Sequence, residues 1–465
     1  MNHWDETTQV VVIGSGLAGL AAAIEARLAG SEVLVLEKMP ITGGNTRISD
    51  GGLAAPNNFL QRQQNIQDSP QLFFEDMMQA GLRLNHPELV RTVANHAAQA
   101  IEWTRHELGV NYLDRLDRFG GHSVARCVTT RRHSGVDLIK AQVKKLKALN
   151  VEVRTRCRFD EFILSPDGKI AGIAVEKGYR SANGSSRANT KIGVEKAVVV
   201  ATGGFSNDIK FRSHFYPGLD ASIPSTNHKG ATAEAMIAAL KIKALAIHLS
   251  RIQLGPWGCP DEIGYGHGAR FASYSLFPKG IVVDPTTGRR IVNEWADRRR
   301  RADAILALGH PGLGIVDANG ARGDVESLKR GLGTGKIKAF DTLDALARAH
   351  DVPLDALTAT VERYHDDIQH GRTDRHGKAL TPSTVKIDLP PFYTIRIWPK
   401  VHYTPGGIAI TPDAQVMNVD GDPIANLFAA GEVCGGVHGA SRLGSCALTE
   451  CIVFGRIAGK KAAEG

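Results

Sequence analysis

Apolar runs separated by polar turns divide the start of the chain into short elements. Residues 10–13 form an unbroken apolar run, and residues 14–28 have the alanine and leucine content of a buried helix. Residues 32–37 form a second predicted strand, with an apolar run at residues 33–36. Short apolar runs of this kind are typical of buried parallel strands. The pattern therefore predicts an α/β domain that opens with a strand–helix–strand unit.

The next part of the chain first follows a helical pattern and then a strand pattern. Helical periodicity dominates residues 70–149. Apolar and polar positions then alternate as they do in strands at residues 151–156, 162–164 and 170–177, and residues 194–201 predict another, buried strand. A stretch rich in Ser, Asn and Gly at residues 178–189 predicts a loop.

A change of composition divides the chain into domains. Two glycines and two prolines fall within residues 255–260, and residues 297–370 follow with a charged, alanine-rich and helical pattern. Strands return at residues 408–410 and 427–429, and a final helix covers residues 447–463.

This order predicts a nucleotide-binding domain of Rossmann type, interrupted by an inserted α+β capping domain that receives the substrate. The first domain would consist of residues 1–250 and 402–465, and the capping domain of residues 251–401.

Length, charge and cysteine usage narrow the function further. A chain of 465 residues exceeds the size of one hydrophobic core, and 50 glycines indicate many close approaches of backbone to ligand. The net charge of +8 favours an anionic small molecule, because no basic tail or groove-reading motif points to nucleic acid. No two of the six cysteines have C-x-x-C spacing, so we expect no metal site.

The sequence also predicts where the protein resides. The first eight residues include Asp5 and Glu6 and lead directly into a strand, which leaves no room for a signal peptide. No apolar stretch has the length of a membrane span. We therefore expect a cytoplasmic protein with reduced thiols.

A glycine motif lies between the first strand and the first helix. Gly14 permits the tight turn, Gly16 lets the backbone approach a pyrophosphate, and Gly19 lets the helix pack on the strand. Glu37 ends the second strand, where an acid binds the ribose hydroxyls. This context predicts a dinucleotide site, and the acid argues against a 2′-phosphate and hence against NADP.

Further motifs follow in a fixed order along the chain. They are Gly-Gly-Asn-Thr at 43–46, Gly-Gly at 51–52, Ala-Thr-Gly-Gly-Phe at 201–205, His-Tyr-Thr-Pro-Gly-Gly at 402–407, Ala-Gly-Glu at 430–432 and His-Gly-Ala-Ser-Arg-Leu-Gly at 438–444. In this order the set resembles the fumarate reductase/succinate dehydrogenase flavoprotein family. The resemblance is greatest to soluble members related to flavocytochrome c fumarate reductases, without their haem domain, and covers nearly the whole chain.

The resemblance implies FAD as the cofactor. Glu432 would hold the ribityl chain, and the helix that starts near Ala447 and Leu448 would direct its positive end at the flavin. Residues 46–49 contain no histidine for a covalent flavin bond, so non-covalent FAD is expected. The complete set of expected cofactor-binding residues is Gly14, Gly16, Ala18, Gly19, Glu37, Lys38, Gly44, Asn45, Thr46, Gly51, Gly52, Thr202, Gly203, Gly204, Glu234, Glu432, Ala447 and Leu448.

The resemblance also implies a catalytic set. His402 and Arg442 would bind the substrate carboxylate, because a guanidinium matches a carboxylate bidentately. Residues 288–294 resemble the family's G-x-R-F-V-N-E segment, and four residues beyond its glutamate Arg298 would be the proton donor. Residues 120–126 resemble a G-G-x-S-x-x-R stretch near the flavin, in which His122 is a candidate supporting group.

The chain departs from the family where a second substrate carboxylate would bind. Gly255-Pro256-Trp257 stands in place of H-P-T, Ser273 in place of a glutamate, and Leu276 in place of a relay arginine. We therefore expect a wider, less charged far end and poor use of fumarate. The expected substrate-binding residues are His402, Arg442, Ser445, Gly255, Trp257, Ser273 and Tyr274.

The sequence thus predicts a FAD-dependent oxidoreductase that interconverts an unsaturated and a saturated carboxylate, with an external electron donor or acceptor. One alternative is a dehydrogenase of a cyclic ketone, ketoacid or 3-oxosteroid, with Tyr403 or Tyr274 over the flavin. From another class, a nucleic-acid-binding or electron-carrier flavoprotein stays open.

Overall fold

The computed structural model describes residues 3–180, 189–380 and 384–465, so most of the loop predicted at residues 178–189 lies outside the described residues. The chain divides into two compact units. The first unit consists of Met1–Ala221, Asn227–Gln253 and Tyr403–Gly465. The second, which we call the inserted unit, consists of Ser222–Thr226 and Leu254–His402.

Both units contain strands and helices. The strands are β1 (Glu6–Ile13), β2 (Val33–Leu36), β3 (Gly52–Ala54), β4 (Tyr112–Asp117), β5 (Cys127–Thr130), β6 (Glu152–Arg154), β7 (Cys157–Leu164), β8 (Ile170–Lys177), β9 (Asn189–Val200), β10 (Ala246–Ile247), β11 (Gln253–Gly255), β12 (Ile281–Asp284), β13 (Arg289–Arg290), β14 (Gly312–Val316), β15 (Ile337–Phe340), β16 (Phe392–Ile397), β17 (Lys400–Tyr403), β18 (Gly407–Ile408), β19 (Gln415–Met417) and β20 (Pro423–Ala429).

The α-helices are α1 (Leu17–Leu28), α2 (Gly44–Ile48), α3 (Phe59–Gln63), α4 (Pro70–Ala80), α5 (Pro87–His106), α6 (Val136–Ala148), α7 (Ile209–Phe215), α8 (Glu234–Lys241), α9 (His267–Phe271), α10 (Phe277–Lys279), α11 (Arg298–Leu306), α12 (Val325–Gly333), α13 (Leu343–Ala349), α14 (Leu354–Gln369) and α15 (Cys446–Glu464). A π-helical turn, Ala272–Leu276, joins α9 to α10. A 3-10 turn, Gly320–Asp324, precedes α12.

The main sheet of the first unit has the strand order β19-β20-β9-β1-β2-β6, and the β7–β8 hairpin joins it at β9. Its centre is parallel, with Ile13 opposite Leu36 on one side and Val200 on the other. Valine-rich strands form this centre because both of its faces are covered. Helices α1 and α15 make the most extensive helix–helix contact of the unit.

A second sheet of the first unit, β3-β5-β4, is antiparallel. It places β3 beside the glycine-rich segment at residues 51–52 and β5 beside the Gly-Gly-x-Ser stretch at residues 120–123. Backbone hydrogen bonds between β3, β5 and β4 therefore hold the residues next to these two motifs.

The inserted unit is built on an antiparallel sheet, β13-β12-β14-β16-β15. Ile281 and Val283 of β12 belong to one hydrophobic cluster, and Val282 belongs to another. Successive side chains of a strand point to opposite faces, so the sheet has a core on each face. Helices α13 and α14 cover one face, and α9 to α11 with the π-helical turn cover the other.

These elements confirm the predicted α/β fold with an α+β insertion and correct several local predictions. Strands β4 and β5 interrupt the stretch predicted as helical at residues 70–149, and β14 and β15 interrupt the one at residues 297–370. β4 and β15 carry charged residues, which hid their alternation, and β14 is only five residues long. In the part of the chain that is described, no helix is long and apolar enough to cross a membrane.

Candidate functional site

The first unit opens with a loop shaped for an anionic ligand. Gly14 has a φ of +107°, and a Cβ on it would come within 2.3 Å of the Ala201 carbonyl oxygen. Helix α1 begins three residues later, at Leu17, with Gly16 at its N-cap. Gly16 has no side chain to bond the first amides of the helix. Those amides and the positive end of the helix therefore favour a phosphate.

Glu37 directly follows β2 and is hydrogen-bonded to the same loop. Its Oε2 accepts hydrogen bonds from the Ser15 amide at 3.1 Å and from Ser15 Oγ at 2.5 Å, and its Oε1 accepts one from the Met39 amide at 2.7 Å. The carboxylate is buried but keeps capacity for a further donor, since each oxygen has two lone pairs. The acid therefore lies where a ribose hydroxyl would be recognised.

A cleft with an empty volume of about 880 Å³ runs past this loop. Twelve of the expected cofactor residues line it, namely Gly14, Gly16, Ala18, Glu37, Lys38, Gly44, Asn45, Thr46, Thr202, Gly203, Glu234 and Glu432. Residues that the sequence did not indicate also line it, among them Ser15, Arg158, Phe159, His228, Thr232 and Cys451.

The other expected cofactor residues do not line this cleft. A Cβ on Gly19 would lie 2.0 Å from the Gly14 carbonyl oxygen, so that glycine serves the packing of α1 on β1. A Cβ on Gly204 would lie 2.5 Å from Glu432 Oε1, so that glycine makes room for the glutamate. Gly51 and Gly52 lie at the start of β3, and Ala447 and Leu448 lie in the first turn of α15.

Glu432 is the most perturbed carboxylate of the cleft. Its Oε1 accepts hydrogen bonds from the Thr404 amide at 3.0 Å and from Thr404 Oγ1 at 3.3 Å, and its Oε2 accepts one from Asn45 Nδ2 at 3.4 Å. Burial raises the pKa of Glu432 to about 7, against the lowering effects of these bonds and of Arg442. Such a group exchanges a proton near neutral pH or gains stability from donors on a bound ligand.

Glu234 is paired at the cleft wall. Lys38 Nζ lies 3.0 Å from Glu234 Oε2, and Thr232 Oγ1 also bonds that carboxylate. Burial alone would raise the pKa of Glu234, but Lys38 and the Thr232 hydrogen bond together lower it. The Glu234 carboxylate is therefore ionised and fixed by Lys38.

Arg442 is a buried cation in the His-Gly-Ala-Ser-Arg-Leu-Gly segment. Its side chain is only 6% exposed, its guanidinium carbon lies 4.8 Å from the centroid of the Tyr403 ring, and its NH1 donates to the Leu443 carbonyl at 3.0 Å. Its Nε is buried and has no hydrogen-bond partner among the described residues. A buried charged donor without a partner favours an anionic ligand.

A series of hydrogen-bonded, buried polar groups holds the Gly444 carbonyl, two residues after Arg442. Arg126 is paired with Asp68 and Asp76, and its NH1 donates to His122 Nδ1 at 3.1 Å. Because a guanidinium only donates, Nδ1 must accept, and Nε2–H must donate to the Gly444 carbonyl at 2.9 Å. Burial lowers the pKa of His122 to about 4, so the ring is neutral.

Ser445 connects this segment to α15. It has a φ of +59°, which is uncommon for a residue with a side chain, and its carbonyl accepts a hydrogen bond from the Ala54 amide at 3.1 Å. A Cβ on Gly52 would lie 2.8 Å from Ser445 Oγ. The first turn of α15, with Ala447 and Leu448, is therefore anchored beside β3.

In the inserted unit, Trp257 lies between two of the expected catalytic side chains. The His402 ring meets the indole edge-on at 5.1 Å, and the Arg298 guanidinium lies 4.7 Å from the indole centroid. Thr226 Oγ1 is 2.8 Å from His402 Nδ1. Trp257 is buried, and within the described residues its Nε1 has no hydrogen-bond partner. The structure thus brings the His402 and Arg298 side chains together on the indole ring of Trp257.

The four-arginine run divides by exposure. Arg299 and Arg300 are exposed, whereas Arg301 lies 4.5 Å from the Phe277 ring. Burial lowers the pKa of Arg301 to about 10. Arg298 and Arg301 are one turn apart on α11, so both pack on aromatic side chains from the same face.

A buried ion network fixes the segment before Arg298. Glu294 is paired with Arg290 at 2.7 Å and with Lys378 at 3.0 Å, and it also accepts a hydrogen bond from the Val282 amide at 3.1 Å. Arg290 is paired in turn with Asp374. Residues 288–294, which resemble the family's G-x-R-F-V-N-E segment, are thereby attached to β12 of the sheet.

The remaining expected substrate residues have more local roles in the structure. Ser273 lies in the π-helical turn, and its Oγ donates to the Ala269 carbonyl at 2.9 Å. Tyr274 belongs to the same turn, and π-helical turns are frequent at functional sites. A Cβ on Gly255 would lie 3.1 Å from the Trp257 ring, so this glycine lets the indole fold back on the chain.

The environment of Tyr403 argues against its use as a base. Its hydroxyl donates to Glu450 Oε2 at 3.5 Å, and its ring packs on Arg442. Burial, reinforced by Glu450, raises its pKa well above the ordinary value. A phenol in this setting does not ionise near neutral pH. Tyr403 therefore does not support the form of the ketone dehydrogenase alternative in which this tyrosine is a base.

The first unit has features that fit FAD: an open helix terminus, a buried acid beside it and a long cleft. Residues 9–448 match the protein family described as FAD binding domain. The chain belongs to this family. In agreement, the acrylate reductase flavoprotein subunit of Shewanella woodyi is 39% identical over 98% of this chain and 91% of that protein. The urocanate reductase of Eggerthella lenta is 32% identical over 98% of this chain and 74% of that protein.

Solved structures agree with this family assignment. The open conformation of a flavocytochrome c3 fumarate reductase superimposes with a TM-score of 0.80 at 31% identity, over 99% of this chain and 79% of that chain. The 3-ketosteroid-Δ4-(5α)-dehydrogenase of Rhodococcus jostii superimposes with a TM-score of 0.77 at 22% identity, over 100% of this chain and 98% of that chain, and shows the fold alone. The flavoprotein is therefore a FAD-dependent oxidoreductase of the CH–CH group, as the sequence predicted.

Sequence patterns gave no signal for several residues of the flavoprotein's cleft. Phe159 follows the ordinary alternation of a strand, and His228 lies in a loop between two motifs. Only the fold brings them beside the glycine motifs. To identify these residues from the sequence, one would have to know that β7 pairs with β8 and where the loop before α8 lies.

Proposed function

We propose that this flavoprotein reduces the carbon–carbon double bond of a short α,β-unsaturated monocarboxylate. The observation that carries the proposal is Arg442, a buried cation whose Nε has no hydrogen-bond partner in the part of the chain that the structure describes. A carboxylate is the ligand that a guanidinium binds best. The cleft of the first unit would hold FAD, which supplies the hydride for the β-carbon when it is bound.

Arg442 would bind the carboxylate of the substrate and stabilise the negative charge that develops when the β-carbon accepts a hydride. The Tyr403 ring under the guanidinium and the bond to the Leu443 carbonyl restrict its movement. We propose the same electrostatic role for His402, whose Nδ1 is oriented by Thr226. A cation that is held in place attracts a negative charge more strongly in a water-poor site than in bulk water.

Arg298 would protonate the α-carbon. Its guanidinium packs on the Trp257 ring, which fixes its position and limits its hydration. An arginine is a poor acid in water, so proton transfer depends on this positioning and on rapid return of the proton from solvent. Hydride and proton together saturate the double bond, and an external electron donor would then reduce the flavin again.

The restriction to one carboxylate follows from Trp257. The indole is buried and apolar except for Nε1, and Gly255 lets it lie against the backbone where the family resemblance would place a second carboxylate-binding residue. A second carboxylate there would lose its hydration without gaining a cation. The likeness to an acrylate reductase subunit supports a small monocarboxylate, and Gly255, Ser273, Tyr274 and Ser445 remain proposed substrate contacts.

Anaerobic stopped-flow spectroscopy tests the substrate class. The purified, photoreduced protein would be mixed with acrylate, crotonate, urocanate and fumarate while flavin absorbance is followed. We expect a monocarboxylate to reoxidise the flavin at least tenfold faster than fumarate does. Fumarate turnover equal to that of the best monocarboxylate would refute the assignment, and failure of every alkene would favour dehydrogenation of a saturated substrate.

Arg298→Ala and Arg299→Ala separate the proposed acid from its exposed neighbour. We expect Arg298→Ala to slow reoxidation by the alkene roughly 10²- to 10⁴-fold, the range for loss of a general acid. Arg299→Ala should leave the rate unchanged, because that side chain is exposed. Reoxidation by ferricyanide needs no proton donor and should be equal in all three proteins. Equal alkene rates in the two variants would exclude Arg298 as the acid.

A further inference from the structure

His228 lies in the FAD cleft with one ring nitrogen already occupied. The Gly230 amide donates to His228 Nδ1 at 3.0 Å. A backbone amide can only donate, so Nδ1 carries no proton and Nε2 carries the hydrogen of the neutral ring. Burial, with a further effect of Lys38, lowers the pKa of His228 to about 4, in agreement with a neutral ring.

The Nε2 side of this ring faces the glycine loop. A Cβ on Gly44 would lie 3.6 Å from His228 Nε2 and 3.8 Å from the Gly16 Cα. The two glycines therefore leave a slot between the imidazole and the start of α1. That helix start is the part of the cleft that favours phosphate.

Two hydrogen bonds fix the backbone of His228, and a glycine leaves room for its ring. The His228 amide donates to Asn45 Oδ1 at 3.1 Å, and the His228 carbonyl accepts from Asn207 Nδ2 at 2.7 Å. A Cβ on Gly230 would lie 2.7 Å from His228 Cε1, so only glycine leaves room for the imidazole there. The loop is thus built to present one imidazole in one tautomer.

We propose that His228 Nε2–H is a hydrogen-bond donor to the pyrophosphate of FAD, opposite the amides at the start of α1. The donor would be neutral, so it binds the anion without adding a formal charge beside Lys38. Its role is cofactor binding, and it does not depend on which alkene the enzyme reduces.

The test measures affinity of the FAD-depleted, full-length protein for three probes: FAD, ADP and riboflavin. His228→Asn keeps an acceptor near the position of Nδ1 but has no donor that reaches the slot. His228→Gln keeps a donor near the position of Nε2. Loss of a hydrogen bond to a charged group predicts a roughly 10- to 100-fold weaker Kd of His228→Asn for FAD and ADP. His228→Gln should bind both within a fewfold of the unsubstituted protein.

Riboflavin separates this role from general packing, since it carries the isoalloxazine and ribityl groups but no phosphate. Its affinity should be equal in all three proteins. Equal losses for riboflavin and ADP, or an unchanged FAD affinity in His228→Asn, would overturn the proposal. The ³¹P spectrum of bound FAD gives a second readout. His228→Asn should shift a phosphate resonance, and unchanged resonances would also count against the donor.

Discussion

Buried ionisable groups of the first unit are held by partners that are themselves fixed. Glu432 depends on Thr404 and Asn45, and Arg442 on Tyr403 and the Leu443 carbonyl. The sequence could indicate both side chains because each lies in a short glycine-rich motif. It could not indicate the raised pKa of Glu432 or the unpaired Nε of Arg442, since both result from burial by distant segments.

Glu432→Gln should remove a pH-dependent loss of stability from the FAD-free protein. The pKa of Glu432 is raised to about 7 in the fold, so the native state binds more protons than the unfolded state between about pH 4.5 and 7. The free energy of unfolding therefore falls as pH rises through this window, by up to about 3 kcal/mol. In urea unfolding, the free energy of unfolding should fall more between pH 5 and pH 8 for the unsubstituted protein than for Glu432→Gln. Parallel pH dependences in the two proteins would contradict it.

His122→Leu should impair both stability and substrate binding. The change leaves the Gly444 carbonyl and one Arg126 N–H without partners in a buried site, which costs about 1–3 kcal/mol per group. Because Arg442 lies two residues before Gly444, we also expect a higher KM for the carboxylate with a smaller change in kcat. His122→Gln, which can both donate and accept, serves as the control. If the two variants have the same KM, the hydrogen bonds do not position Arg442.

At the scale of elements, the close crossing of α1 and α15 is a feature that hydrophobic patterning did not predict. A Cβ on Gly455 would lie 2.5 Å from the Ala18 carbonyl oxygen, and one on Gly459 would lie 2.1 Å from that of Ala22. The four-residue spacing places both glycines on one face of α15. Periodicity identified the helix, but only packing against α1 shows that small residues are required there.

Gly459→Ala should therefore destabilise the protein, although alanine is the better helix former. The added methyl group meets backbone atoms that cannot rotate away, and overpacking of this kind costs about 1–3 kcal/mol. Gly333→Ala in α12 is the matched control, because a Cβ on Gly333 meets nothing within 4 Å. That control should be neutral or more stable by up to about 1 kcal/mol. Thermal unfolding of both variants checks the sign, and stabilisation by Gly459→Ala would show that the helices can separate at little cost.

At the scale of the whole molecule, sequence order predicted more of the first unit than of the inserted one. The glycine loop, Glu37 and the last helix are signalled locally, at the end of a strand or the start of a helix. The arrangement of Trp257, Arg298 and His402 joins three distant segments of the inserted unit. β14 and β15 could not be recognised within a charged, helix-like stretch, because their partners in the sheet come from elsewhere in the chain.

Each unit has hydrophobic clusters of its own, and the residues that line the FAD cleft all belong to the first unit. Bound FAD should therefore stabilise the first unit selectively. At a free concentration 100 times Kd, a ligand adds about 2.7 kcal/mol to the unfolding free energy of the unit that binds it, which corresponds to roughly 100-fold slower exchange through unfolding. Hydrogen exchange should slow by up to this factor in β1 and β9 and by less than about twofold in β14 and β16. Equal slowing in all four strands would mean that the two units unfold as one.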